Sequence, residues 1–85
     1  MFTEFCFACV HVLFQIRPIL YVVREEGDWT FTCGRGDHHT TGDWGQAHTH
    51  HFLDADSSLE LLIDLGAEQQ AARYNARSPW LRLIV

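Results

Sequence analysis

Three cysteines and six histidines are the residues of this 85-residue chain best suited to metal binding or covalent chemistry. Cys6-x-x-Cys9, His11, Cys33, His38 or His39, and His48, His50 and His51 are all ligand types that zinc accepts. Cys33 closes an apolar run and His38 follows five residues later, so the two can face Cys9 and His11 across a neighbouring strand. The set Cys9, His11, Cys33 and His38 is therefore the candidate metal site. Its spacing matches no established zinc module. Cys6 and Cys9 fall on opposite faces of a regular strand, which argues against both serving one ion. The commoner fate of such residues is burial of the cysteines as small hydrophobes, with the histidines left in loops.

Thiol catalysis needs a cysteine beside a histidine base and an orienting acid. Cys33 with His38 or His50, and with Asp37 or Asp43, could be drawn that way, as could many combinations in a histidine-rich chain. Cys33 lies on the Trp29/Phe31 face, where burial makes a thiol inert. The expectation is a non-enzyme. Arg35-Gly36-Asp37 spells an adhesion tripeptide, but three residues recur by chance and suit a turn. His48–His51 could titrate near neutral pH, which loop histidines seldom exploit.

These side chains must be positioned by a few elements. Ile19–Gly34 is the clearest: Ile19, Tyr21 and Val23 alternate with their neighbours, as do Trp29, Phe31 and Cys33 with two threonines. Glu25, Glu26, Gly27 and Asp28 make the turn, with Gly27 free to take a positive φ. An antiparallel hairpin is predicted. Its acids Glu25, Glu26 and Asp28 form a candidate partner-binding rim for a basic protein, or a solvated turn.

Phe5–Val10 reads as a strand, and Pro18 marks entry to the hairpin. Gly34–Gln46 reads as a loop and Ala47–Phe52 as a third strand. Ser57 with Glu60 three residues on is a capping box, opening a short helix with Leu59, Leu62 and Ile63 as its apolar stripe. Gly66 can close that helix in the left-handed region. Ala67–Arg73 favours helix by propensity, and Ser78–Pro79 is a break. Trp80–Val85 is apolar enough for a terminal strand.

Several words line up with a known group: Cys9-Val10-His11-Val12-Leu13, Pro18-Ile19-Leu20-Tyr21-Val22, Gly27-Asp28-Trp29-Thr30-Phe31-Thr32-Cys33-Gly34, Asp56-Ser57-Ser58-Leu59 and Trp80-Leu81-Arg82. From about Cys6 to Arg82 the chain resembles short bacterial proteins similar to a domain-of-unknown-function family. That family includes predicted immunity proteins of polymorphic toxin systems. The resemblance implies a small antiparallel sheet with one or two helices, and a protein-binding, toxin-neutralising role. None of the shared words is a catalytic signature, so no active site is carried across. It also implies an extended segment opened by a proline-glycine pair at Gly66–Tyr74. The proline is missing here, so helix stays open beside a helical turn followed by a strand around Ala71–Tyr74, and the loop after Cys33 is longer in His, Thr and Gly than the pattern.

Composition bounds the rest. An apolar fraction of 47% and three tryptophans indicate a packed globule, and 85 residues suffice for a single domain spanning residues 1–85. Net charge is −5 with six arginines and no lysine, which disfavours a nucleic acid partner. Met1–Ile16 is apolar but broken by Glu4 and His11, with neither the length of a membrane span nor the pattern of a signal peptide. Free thiols in a cytoplasmic compartment are expected. The predicted fold is α+β: an antiparallel sheet of about four strands built on the hairpin, with one short helix packed on it.

Overall fold

In the computed structural model of the chain, residues 2–38 and 40–83 are described. The hairpin is present as predicted: β2 (Tyr21–Glu25) pairs antiparallel with β3 (Asp28–Thr32), with Val22 opposite Phe31 and Glu25 opposite Asp28. Glu26 and Gly27 both take positive φ, 51° and 89°, the signature of a type I′ turn whose twist suits the strands it joins. Around this pair the fold is α+β, but the sheet is larger than predicted and mixed. Among the described residues six strands run in the order β4-β1-β3-β2-β5-β6. The first strand, β1 (Phe5–Cys9), lies parallel to β3 and antiparallel to β4 (Trp44–His48). On the other side β5 (Gln69–Ala72) and β6 (Leu81–Leu83) add antiparallel.

Several elements differ from the sequence-based expectation, beginning with the first strand, which stops at Cys9 rather than Val10. The strand predicted at Ala47–Phe52 begins earlier, at Trp44, and gives way to the helix α2 (Thr49–Ala55). Its core-facing residues, Gly45 and Ala47, are small because another short helix, α1 (Val10–Leu13), lies against them. A Cβ on Gly45 would stand 2.7 Å from Leu13 Cδ1. The helix expected from Ser57 is a 3₁₀ helix, Ser57–Leu62, capped by Asp56, whose carboxylate accepts from the Ser58 N–H. Leu59, Leu62 and Leu65 are three residues apart, and that spacing fits the three-residue turn of a 3₁₀ helix. All three are buried, whereas Ile63 and Leu61 face outward. Gly66 stays out of the left-handed region, which Glu68 occupies instead at φ 63°.

The chain from Ala67 resolves as a turn followed by strand, two residues earlier than the Ala71–Tyr74 alternative. The exposed edge of β2 decides it. Pairing with β5 satisfies that edge's backbone groups, which outweighs the helix propensity of AEQQAAR. The terminal strand is seen at Leu81–Leu83; Ile84, Val85 and His39 lie outside the described residues.

One face of the sheet carries Cys6, Ala8, Val22, Trp29, Phe31 and Ala71, all at most 1% exposed, beneath the three leucines and α2. Phe52 meets Phe31 edge-on at 5.7 Å. The other face presents Phe5, Phe7, Trp44, Leu81 and Leu83, each more than a third exposed. Among the described residues no helix is long and apolar enough to cross a membrane.

Candidate metal centre

The parallel pairing of β1 with β3 is what builds the site. Phe7 stands opposite Thr30 and Ala8 opposite Phe31, so the two strands end at the same level. Cys9 is the last residue of β1, and Cys33 is the first after β3. Side-chain groups at the carboxyl ends of parallel strands commonly converge on one crevice. α1 follows Cys9 directly and puts His11 in its first turn. After Cys33 the chain bends at Gly34, whose φ of 76° suits glycine, while the Thr32 hydroxyl accepts the Gly34 N–H at 3.1 Å. The bend returns His38 over the cysteines.

The four donors, Cys9 Sγ, His11 Nδ1, Cys33 Sγ and His38 Nε2, all lie within 4.8 Å of one another. His11 Nδ1 is 3.0 Å from His38 Nε2, and Cys33 Sγ is 3.6 Å from His38 Nε2 and 3.9 Å from His11 Nδ1. Tetrahedral zinc with ordinary bond lengths requires about 3.3 Å between two nitrogens and about 3.5 Å between sulfur and nitrogen. The three separations among His11, Cys33 and His38 fall within about half an ångström of those values. Cys9 and Cys33 are buried, the His38 side chain is 4% exposed and His11 is half-buried. A divalent ion here would find two soft thiolates and two imidazoles, a donor set that favours zinc.

Arg17 lies over the ligands. The turn after α1 curls back so that the N–H groups of Ile16 and Arg17 both donate to the His11 carbonyl, at 2.8 and 3.1 Å. The Arg17 guanidinium then donates to Cys33 Sγ at 3.4 Å, lies 3.4 Å from His11 Nδ1, and grips Asp37 with both terminal nitrogens at 3.1 and 3.0 Å. Burial pushes the Cys33 thiol up, but hydrogen bonds from Arg17, the Arg35 backbone and Cys9 outweigh it and hold the thiol below its ordinary value. The same Arg17 hydrogen bonds hold Asp37 down at about 2. Outer partners of this kind orient ligands and tune a bound ion. The expectation of an inert Cys33 took account of burial but not of this cation.

All four predicted ligands are thus brought together, while the other candidates are not. Cys6 points to the opposite face, against Thr49, and burial pushes its thiol up to about 11. His48, His50 and His51 cluster with ring centroids 4.2–5.9 Å apart in edge-on and tilted contacts, at the far end of β4. Among the described residues the Cys9–His11–Cys33–His38 set is the one group of three or more such donors that converges. Glu25, Glu26 and Asp28 sit exposed at the hairpin tip, at the opposite end of β3 from Cys33, where Glu68 joins them by accepting the Glu26 N–H at 3.0 Å. Arg17 was missed from sequence because no local motif links a lone arginine before a proline to a cysteine sixteen residues on. No family model, curated protein or solved structure matches the chain.

Proposed function

We propose that this chain is a small zinc-binding domain whose metal is held by Cys9, His11, Cys33 and His38 and serves a structural, non-enzymatic role. The observation that carries the reading is the convergence of four buried or half-buried donors from two stretches of chain distant in sequence, Cys9–His11 and Cys33–His38. Four protein ligands leave a tetrahedral ion no open position for substrate, which is the pattern of structural rather than catalytic zinc. Such an ion would tie the ends of β1 and β3 to α1 and to the loop that bears His38.

The test is metal content of untagged protein purified without chelator, with thermal unfolding before and after chelation. About one zinc per chain and a large loss of stability on chelation support the reading. Cys33→Ser should abolish that metal-dependent stability. Protein that carries no metal, takes up none when zinc is supplied and melts unchanged with chelator would overturn the proposal.

A second reading is binding of a partner protein, of which toxin neutralisation in the bacterial cytoplasm is the specific form. It is favoured by exposed Phe5, Phe7 and Trp44, which share one sheet face on the neighbouring strands β1 and β4, since grouped apolar residues often mark interaction sites. The acidic tip suits a basic partner. Glu25→Lys with Asp28→Lys should weaken capture of such a partner while leaving the fold intact, and undiminished affinity would count against that surface. The two readings are compatible, because the metal would stabilise one end of the sheet and the partner would meet its open face.

A further inference from the structure

We infer that the same centre is a peroxide-reactive dithiol, in which Cys33 is oxidised first, Cys9 resolves it, and formation of the Cys9–Cys33 disulfide dismantles the metal site. The inference rests on the zinc reading only for release of the ion; the thiol chemistry stands on the arrangement of Cys9, Cys33 and Arg17.

Three observations assign the roles. Cys33, 2% exposed, borders a cleft of about 380 Å³ that Leu20, Tyr21, Gly34, Arg35, Ala72 and Arg73 also line. Cys9 is 0% exposed and borders no such cleft among those described. Arg17 Nη1, 3.4 Å from Cys33 Sγ, is placed to stabilise both the thiolate and the negative oxygen expelled from a peroxide. The Cys9 and Cys33 sulfurs are within 4.8 Å of each other. β3 ends at Thr32, so Cys33 has left the strand's alternation and its sulfur is turned toward Cys9. Cys6 stands outside this geometry.

The chemistry balances with a hydroperoxide as oxidant. The Cys33 thiolate attacks one peroxide oxygen and the O–O bond breaks. The departing hydroxide takes a proton and leaves as water, and Cys33 is now a sulfenic acid. The Cys9 sulfur attacks the Cys33 sulfur, the S–O bond breaks, and a second water departs. Two thiols have lost two electrons and one hydrogen peroxide has become two waters. The site then retains two of its four donors and its affinity for a divalent ion collapses.

The experiment treats zinc-loaded protein with equimolar hydrogen peroxide and follows metal release with a chromophoric chelator, together with intact mass and peptide mapping. The expected result is a product two hydrogens lighter, a Cys9–Cys33 link, stoichiometric zinc release and recovery with dithiothreitol. Cys6→Ala should behave like the parent. Arg17→Gln should bind zinc yet react on the order of tenfold more slowly, the loss of one charge-assisted hydrogen bond. If the protein proves metal-free, the zinc reading fails, while the disulfide still forms and is read by mass. Retention of both thiols through excess peroxide, or oxidation of Cys33 to sulfinic acid without a Cys9 link, would overturn the inference.

Discussion

Arg73→Met is the substitution expected to cost this domain most for a single side chain away from the candidate metal centre. The Arg73 side chain is 1% exposed and ties four stretches together. Its Nε donates to the Ile19 carbonyl at 2.9 Å and its Nη1 to the Ser58 hydroxyl at 2.9 Å and the Ala76 carbonyl at 3.3 Å. Nη2 donates to Asp56, and the guanidinium lies 4.3 Å from the Trp80 ring centroid. Methionine keeps most of the apolar stem but removes every donor, and it strands a partly buried carboxylate. Breaking a buried pair on one side costs about 3–5 kcal/mol. Asp56 is 28% exposed and keeps its bonds from the Ser58 N–H and hydroxyl, so the lower end, about 3 kcal/mol, is expected. A domain of this length holds roughly 4–13 kcal/mol in all. With a urea slope of about 1 kcal/mol per molar, the midpoint should fall by about 3 M. Adding Asp56→Asn, which removes the charge but retains an acceptor for the Ser58 N–H, should restore about half of the loss. A single variant that loses less than about 1 kcal/mol, or a double variant no better than the single, would refute the account of Arg73 as a hub.

Acid should act through the same pair. Burial pushes Asp56 up, but hydrogen bonds from Ser58 and Arg73 and the Arg73 charge outweigh it and hold the carboxyl below its ordinary value. A depressed folded value means that the contribution is fully present above the unfolded carboxylate value, near about 4, and is lost as pH falls through the folded one. Urea midpoints measured with chelator between pH 5 and 2.5 should therefore drop, and the drop should be shallower in Asp56→Asn; equal slopes would remove Asp56 from the explanation. At the hairpin tip Glu26 occupies the left-handed region at φ 51° without glycine's freedom. Glu26→Asn, a better residue for the first central position of a type I′ turn, should stabilise by about 0.5–1 kcal/mol and raise the melting temperature by roughly 2–6 °C. A lower melting temperature would show that the Glu26 side chain contributes more than its backbone strain costs.

The hairpin was legible because its determinants are local: alternation over two short runs and a glycine where φ must be positive. The four candidate ligands were legible as types, and strand alternation told only that Cys6 and Cys9 would not share one ion. What sequence could not show was that Cys9 and Cys33 end adjacent parallel strands, since that depends on β1 docking beside β3 rather than on any spacing along the chain. β4 was misplaced for a related reason: Trp44-Gly45-Gln46-Ala47-His48 lacks an apolar alternation because its inward residues are the small ones that Leu13 requires. His48, His50 and His51 mimic a strand's alternation where the backbone turns helical. Leu59, Leu62 and Leu65 carry a three-residue period that is easily mistaken for a wider α-helical stripe.

Sheet order also has a kinetic consequence. The β2–β3 pair closes over a two-residue turn, whereas Phe7 must find Thr30, Cys6 must find Ala47 and Val22 must find Ala71. Contacts so distant in sequence form slowly, because loop entropy is lost before they contribute. The metal donors converge only once β1 has joined β3, on the native side of that search. An ion bound there would stabilise the folded state and leave the transition state before it almost untouched. Zinc should therefore lengthen the lifetime of the native state by slowing unfolding, with little effect on the refolding rate.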